Sequence, residues 1–252
     1  MPEAIKAGAK VVVVMPARNA ARTLERTVGG IDRAWVDEII IVDDKSTDDT
    51  VAVARKIPEV HVVWHPHNVG YGGNQKTCYL QALQHEADVV VMLHPDGQYE
   101  PSLVPDMVRP ILEGRADLVL GSRFLTPGGP LAGGMPKWKY VANRTLTTIE
   151  NKILGTDFAE LHTGYRAYSR KLLLEIPWLR NALDFSFDSE LLFQAVHFGF
   201  RIEEVPCSTI YDEDDSNVSF KQGVVYGSKT LLAALRLVLH RSGVWKSRRF
   251  QP

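Results

Sequence analysis

Apolar residues fall into short, regularly spaced runs through the first half of the chain. Residues 10–15 form a β-branched run that predicts a buried strand. Residues 20–31 carry helical spacing. Residues 38–42 predict a second strand, which ends in Asp43 and Asp44. Ser46, Thr47 and Asp48 can cap a helix over 50–56, and Pro58 stops it. A third strand is expected over 60–64. A glycine-rich turn, NVGYGGN, then leads into a helix through His85. Residues 88–93 predict a fourth strand, 102–113 a helix, and 117–120 a fifth strand ending at Gly121.

Strands alternating with helices of this length imply an α/β domain with a mostly parallel, Rossmann-like sheet flanked by helices. Ligands of such sheets bind beyond the carboxyl ends of the strands. That rule selects residues 16–19, Asp43 and Asp44, residues 94–98, and residues 121–123, each polar and each following a strand.

The second half is less regular. Residues 126–136, with paired glycines and three prolines, read as a mobile loop. Helices are expected over 139–154 and 187–198, a short strand over 201–205, an acidic loop over 211–216, and a long helix over 219–241. With no repeat and no clear linker, one domain spanning 1–252 is expected. It comprises a first half (1–124), a second half (125–218), and a C-terminal helix with a basic tail (219–252).

Composition narrows the classes. The 252 residues are 45% hydrophobic, enough for a sizeable core. Lys and Arg total 29 against 30 Asp and Glu, without the basic excess of a nucleic-acid binder. Cys78 and Cys207 are expected to be buried thiols in a reducing compartment. The run VVVVM is too short to span a bilayer, and residues 224–239 contain Lys229 and Arg236. A cytoplasmic protein is therefore expected. The last helix leaves a peripheral membrane contact open: Val224, Val225, Leu231, Leu232, Leu235, Val238 and Leu239 are accompanied by Lys229, Arg236, Arg241, Lys246, Arg248 and Arg249.

Two phosphate motifs fail on inspection. The stretch from Gly70 to Thr77 nearly spells a P-loop, but Gln75 stands where that motif requires its second glycine, and the dinucleotide-binding pattern fails at the same residue. Gly70 and Lys76 can still offer a phosphate a backbone N–H and an ammonium. The stronger site is His94-Pro95-Asp96-Gly97-Gln98, directly after a buried strand. The two-residue period of extended backbone points His94, Asp96 and Gln98 the same way. A carboxylate and an amide oxygen suit Mg²⁺ or Mn²⁺; a plain polar turn is the alternative.

Five segments in order, VVVVMPARNAARTL, IIIVDDKSTDDT, NVGYGG, DVVVMLHPDGQYEP and DLVLGSRF, resemble glycosyltransferase family 2 with its GT-A fold. The polyprenyl-phosphate branch, similar to dolichol-phosphate mannose synthases, is the nearest in pattern. The resemblance implies that Pro16, Ala17, Arg18 and Asn19 line a nucleotide pocket and that Asp44, with Asp43 beside it, reads the base. The family's metal motif is Asp-x-Asp-x-Gln. Here His94 replaces its first carboxylate, leaving Asp96 and Gln98 as metal ligands and His94 as a further candidate. Arg123 matches an arginine that contacts phosphate oxygens. Asp188, with Glu190 nearby, matches the region of an acceptor-activating carboxylate, and Gly164-Tyr165-Arg166 matches a loop on the acceptor side.

The resemblance implies an inverting, metal-dependent hexosyltransferase using a GDP- or UDP-linked sugar and a polyprenyl-phosphate acceptor. Asp96, Asp188 and Arg123 would carry the chemistry. Two alternatives stay open: a hydroxyl acceptor on a soluble glycan or metabolite, with Asp188 as base, and a non-catalytic nucleotide-sugar binder. A nucleotidyltransferase would need a Gly-rich, Lys-containing loop after the first strand, which Pro16-Ala17-Arg18-Asn19 is not.

Overall fold

The computed structural model of the chain describes residues 6, 8–209 and 220–252. The expected acidic loop over 211–216 lies outside the described residues. Strands β1 (Val11–Ala17), β2 (Glu38–Asp43), β3 (Val60–Trp64), β4 (Val89–Met92), β5 (Leu118–Ser122), β6 (Arg166–Ser169) and β7 (Ile202–Pro206) form one sheet in the order 3-2-1-4-6-5-7. Only β6 runs antiparallel, between β4 and β5. The mostly parallel α/β sheet expected above is therefore present.

The strand period of two divides the core. Val12, Val14, Ile40, Val42, Val90 and Met92 face one side. Val11, Val13, Ile39, Ile41, Val89 and Val91 face the other. Helices α1 (Leu24–Gly29), α2 (Thr50–Ala54) and α4 (Val104–Leu112) cover the second face. Helices α3 (Tyr71–Gln84), α7 (Arg170–Glu175), α8 (Phe187–His197) and α9 (Phe220–Arg241) cover the first. Two further helices, α5 (Gly129–Ala132) and α6 (Lys137–Leu154), precede β6.

Three expectations need correction. The helix placed over 20–31 is only Leu24–Gly29, because the amides of Ala20 and Ala21 donate instead to Thr50 and Asp48. The loop over 126–136 contains α5. Strand β6 and helix α7 were not anticipated: Arg166-Ala-Tyr-Ser shows no apolar alternation, yet all four residues are buried. Cys78 and Cys207 are both buried and free, as expected. Among the described residues no helix is long and apolar enough to cross a membrane.

From β1 the chain steps outward to β2 and β3, then crosses to β4 on the other side of β1. Connections thus diverge at the carboxyl ends of β1 and β4, the position where such sheets open a crevice.

Candidate functional site

The loops at the carboxyl ends of β1, β2 and β4 are laced together. Asn19, at φ 53°, donates its amide to the Ser46 hydroxyl at 2.8 Å, and its Oδ1 accepts from the Thr47 amide at 2.8 Å. Asp43 Oδ1 accepts from the Ser46 amide at 3.0 Å. Asp44 accepts from the amides of Val69 and Gly70 and meets His65 Nδ1 at 3.2 Å. Thr23 donates to the Pro95 carbonyl, joining the β4 loop to the start of α1. Gly97 sits at φ 78°, a left-handed conformation that strains any residue with a Cβ, so this turn favours glycine.

Beside these loops lies a cavity of about 1120 Å³. Of the residues singled out above, His94, Asp96, Gln98, Arg123 and Asp188 line it. Residues 16–19, Asp43, Asp44, Gly70 and Lys76 do not. Gly70 and Lys76 instead dock the segment that carries Asp188. A Cβ on Gly72 would lie 2.6 Å from the Ala182 carbonyl, and the Gly72 amide donates to Leu183 at 2.9 Å. Lys76 donates to the carbonyls of Leu179 and Asn181. The glycine-rich turn thus packs closely on that segment, with Lys76 engaged by its carbonyls.

Asp188 sits in the first turn of α8 and is buried. Its Oδ2 accepts from the Tyr71 hydroxyl at 2.7 Å and its Oδ1 from Gln75 Nε2 at 3.0 Å. Burial and the Asp188 charge push the Tyr71 phenol well above its ordinary value, so it stays a donor. The His94 ring stacks on Tyr71 at 5.6 Å, with Nε2 3.3 Å from the phenol oxygen. Arg166, fully buried, donates to the carbonyls of Leu161, Thr163 and Asp188 and so ties the loop before β6 to α8. Glu190 points elsewhere, toward Arg236 and Arg249.

Arg123 is buried against Glu160. Its Nε lies 3.0 Å from Oε2, a second guanidinium nitrogen contacts Oε1, and its amide donates to Oε2 at 2.8 Å. The Asn143 side chain supplies a further bond to Glu160 at 2.9 Å. These contacts hold the Glu160 carboxyl below its ordinary value although burial alone would raise it. Lys139, next to this pair on the cavity wall, is lowered to about 8 by burial and then by the Arg123 charge. Sequence reasoning missed Lys139 and Tyr71. Both sit on helices whose apolar spacing says nothing of the cavity they border.

The donor set at Asp96 fits a hard divalent cation. Asp96 Oδ1 is occupied by the Gln98 amide at 3.0 Å, while its other oxygen and the Gln98 side chain have no hydrogen-bond partner among the described residues. Both side chains border the cavity. The cluster of Glu38, His61 and His85 is also close enough to hold a metal ion. It lies at the opposite, amino end of the sheet, where Lys10 already pairs with Glu38.

The outer wall of the cavity is apolar. Trp138 and Leu146 of α6 face Val224, Val225 and Leu231 of α9. Lys221 and Lys229 stand at the same wall, Lys229 paired with Asp184.

The model of the family described as "Glycosyl transferase family 2" matches residues 12–176. The chain is 29% identical to a UDP-N-acetylglucosamine–dolichyl-phosphate N-acetylglucosaminyltransferase of Methanococcus voltae, over 81% of this chain and 86% of that protein. It is likewise 29% identical to a polyprenol monophosphomannose synthase of Mycolicibacterium smegmatis, over 88% and 84%. Its fold is similar to that of glucosyl-3-phosphoglycerate synthase from Mycobacterium tuberculosis, solved with Mn²⁺, UDP and glucosyl-3-phosphoglycerate. The TM-score is 0.71 at 24% identity, covering 98% of this chain and 84% of that one. With the GT-A architecture in place and the family match spanning β1 through α7, the chain belongs to glycosyl transferase family 2.

Proposed function

We propose that the protein transfers a sugar, with inversion, from a nucleoside-diphosphate sugar carrying GDP or UDP to a polyprenyl phosphate. The observation that carries this reading is the two-part cavity. A polar floor with Asp96, Arg123, Lys139 and Asp188 opens into an apolar wall between α6 and α9. A phosphate head and an isoprenoid tail have the same division. The relatives named above include enzymes whose names specify dolichyl-phosphate and polyprenol acceptors.

In this reaction an acceptor phosphate oxygen forms a bond to the anomeric carbon from the face opposite the leaving group. The bond from that carbon to the diphosphate oxygen breaks, and nucleoside diphosphate departs. Asp96 and Gln98 would hold Mg²⁺ or Mn²⁺, which offsets charge on the leaving diphosphate when bound. The loops at residues 16–19 and 43–44 would hold the nucleoside, their conformations fixed by the bonds described above. Arg123 and Lys139 would attract the acceptor phosphate. An ionised phosphate needs no base, and both Asp188 oxygens already accept hydrogen bonds, which suits a positioning role for that carboxylate. The hydroxyl-acceptor reading keeps one supporting observation: Asp188 does border the cavity. We place the protein in the cytoplasm, in peripheral contact with the membrane that holds its acceptor.

Melting temperatures with UDP, GDP, CDP and dTDP, each with and without Mn²⁺, test the donor half. One diphosphate should raise the melting temperature in a metal-dependent way. No shift with any of the four would remove the donor assignment. Incubation with the matching nucleotide sugar and a short polyprenyl phosphate should then yield a glycosylated lipid phosphate.

A further inference from the structure

A second cleft, of about 440 Å³, lies beyond the far end of α9 among Arg180, Arg236, Trp245, Ser247, Arg248 and Arg249. The chain builds it by folding back after α9. Phe250 is buried against the body. Arg180 donates to the carbonyls of Arg248 at 2.6 Å and Gln251 at 2.8 Å, and Gln194 donates to the Arg249 carbonyl at 2.7 Å. The tail is therefore pinned, and its side chains are presented from a fixed backbone.

Charge in this cleft is one-sided. Glu190 is the carboxylate that meets it, contacting Arg249 and lying 3.5 Å from Arg236. Burial pushes the Glu190 carboxyl up, against the charge it would need to balance these cations. Arg180 bonds to main-chain oxygens of Arg248, Gln251 and Pro252. The Arg248 guanidinium has no hydrogen bond or ion pair among the described residues. The imbalance extends along the whole C-terminal segment. Residues 220–252 contain Lys221, Lys229, Arg236, Arg241, Lys246, Arg248 and Arg249 and no Asp or Glu, in a protein of net charge −1.

Apolar surface adjoins the cleft. The inner side of α9 buries Thr230, Ala233, Ala234 and Leu237. Its outer side, at three- and four-residue spacing, exposes Leu231, Leu232, Leu235 and Val238. Val244 and Trp245 continue that surface at the tail and are 77% and 51% exposed. A soluble face would normally alternate such residues with charges of both signs.

We propose that the cleft binds a phosphate group, and that this phosphate is the headgroup of an anionic lipid, seating the outer side of α9 on the bilayer. Guanidinium groups engage phosphate oxygens in paired hydrogen bonds. Trp245 takes the interfacial position that an indole favours. The same helix supplies the apolar wall of the cavity, so docking would turn that wall toward the membrane. This consequence rests on the proposed acceptor, whereas headgroup binding does not.

The test uses the full chain and Arg236→Ala/Arg248→Ala, a double variant that spares the Arg249–Glu190 pair. Co-sedimentation is measured with vesicles of phosphatidylcholine alone and of phosphatidylcholine mixed with phosphatidylglycerol. The wild type should bind only the anionic vesicles and release them in high salt. The double variant should bind them about thirtyfold more weakly, as expected for the loss of two cations near an anionic surface. Its melting shift with nucleoside diphosphate and Mn²⁺ should be unchanged, which separates failure of docking from failure of the donor site. Titration with inorganic phosphate distinguishes the source of the ligand. Arginine-dependent binding of free phosphate without vesicle binding would overturn the lipid assignment. Equal binding to neutral vesicles, salt-insensitive binding, or an undiminished double variant would overturn the site.

Discussion

The carboxyl ends of β1, β2 and β4 and the wall between α6 and α9 border the same region but are held by different forces. The strand-end loops rest on many short-range bonds from side chain to backbone. Examples are Asn19 with Thr47, Asp44 with Val69 and Gly70, and Asp48 with Ala21. The wall rests on the buried ion pair of Arg123 with Glu160, while Glu150 of α6 lies 3.2 Å from His162, which meets Tyr226 of α9. Bonds of the first kind contribute roughly 0.5–1.5 kcal/mol each when both partners are neutral and about 1.5–3 kcal/mol when a carboxylate accepts. A buried ion that loses its partner costs about 3–5 kcal/mol. Damage to the loops should therefore be graded, and damage to the wall abrupt.

The largest effect expected is that of Glu160→Gln. It leaves the Arg123 guanidinium buried without an opposing charge, and stability should fall by about 3–5 kcal/mol in denaturant melts. Asn19→Ala, which removes neutral bonds and sets alanine at φ 53°, should cost about 1–2 kcal/mol. Comparable losses in the two variants would erase the distinction between the two regions.

Asp96→Ala comes next and acts on rate rather than stability. Removing the one carboxylate of the metal motif should lower kcat/KM on the order of a hundred- to a thousandfold. The Mn²⁺-dependent part of the nucleotide melting shift should vanish with it. An intact metal-dependent shift in this variant would move the ion elsewhere in the protein.

The same contrast explains what could be read without the structure. Strands β1 to β5 fell within a residue or two of their observed bounds, because β1, β2 and β4 are largely β-branched runs buried on both faces and β3 and β5 are short, mostly apolar runs. The place of Asp96 at the cavity was legible because it follows such a run directly. Strand β6 was not, since Arg166 and Ser169 look like loop residues until the carbonyls of Leu161, Thr163 and Asp188 are brought around the guanidinium. The docking contacts of Lys76 were not legible, because its partners, Leu179 and Asn181, lie about a hundred residues away. Glu150 and His162 gave no signal at all. Their meaning arises only when α6 buries the carboxyl completely.

That pair supplies a pH prediction. Burial pushes the Glu150 carboxyl up to about 8 and the His162 imidazole down to about 4. From about pH 6.5 to 8 the folded protein keeps the Glu150 proton, whereas the unfolded chain, at its ordinary value, has lost it. Stability should therefore fall as pH rises through that window, by about 2 kcal/mol at roughly 1.4 kcal/mol per pH unit. Between about 4.5 and 6.5 each state holds one proton on the pair, on Glu150 when folded and on His162 when unfolded, so the two contributions cancel. Denaturant melts across pH should show a plateau followed by this decline, and Glu150→Gln should flatten the decline. Melts of wild type and variant that stay parallel from pH 6.5 to 8 would show that the carboxyl is already ionised there.

Asp188→Asn should give the smallest change in rate and makes the sharpest choice between acceptors. The carboxylate accepts from Tyr71 and Gln75, and its charge stands beside the buried Arg166. An asparagine can still accept one of those bonds, so the cavity keeps its shape while the chain loses some stability. Rates should accordingly be compared well below the variant's melting temperature. With an ionised phosphate as acceptor no proton has to be removed, and kcat should fall less than about tenfold, without a new limb in its pH profile. With a hydroxyl acceptor the loss should reach about a hundredfold or more, and the acidic limb that reports a carboxylate base should disappear. The second outcome would make the polar floor that carries Asp188 part of the chemistry rather than its support.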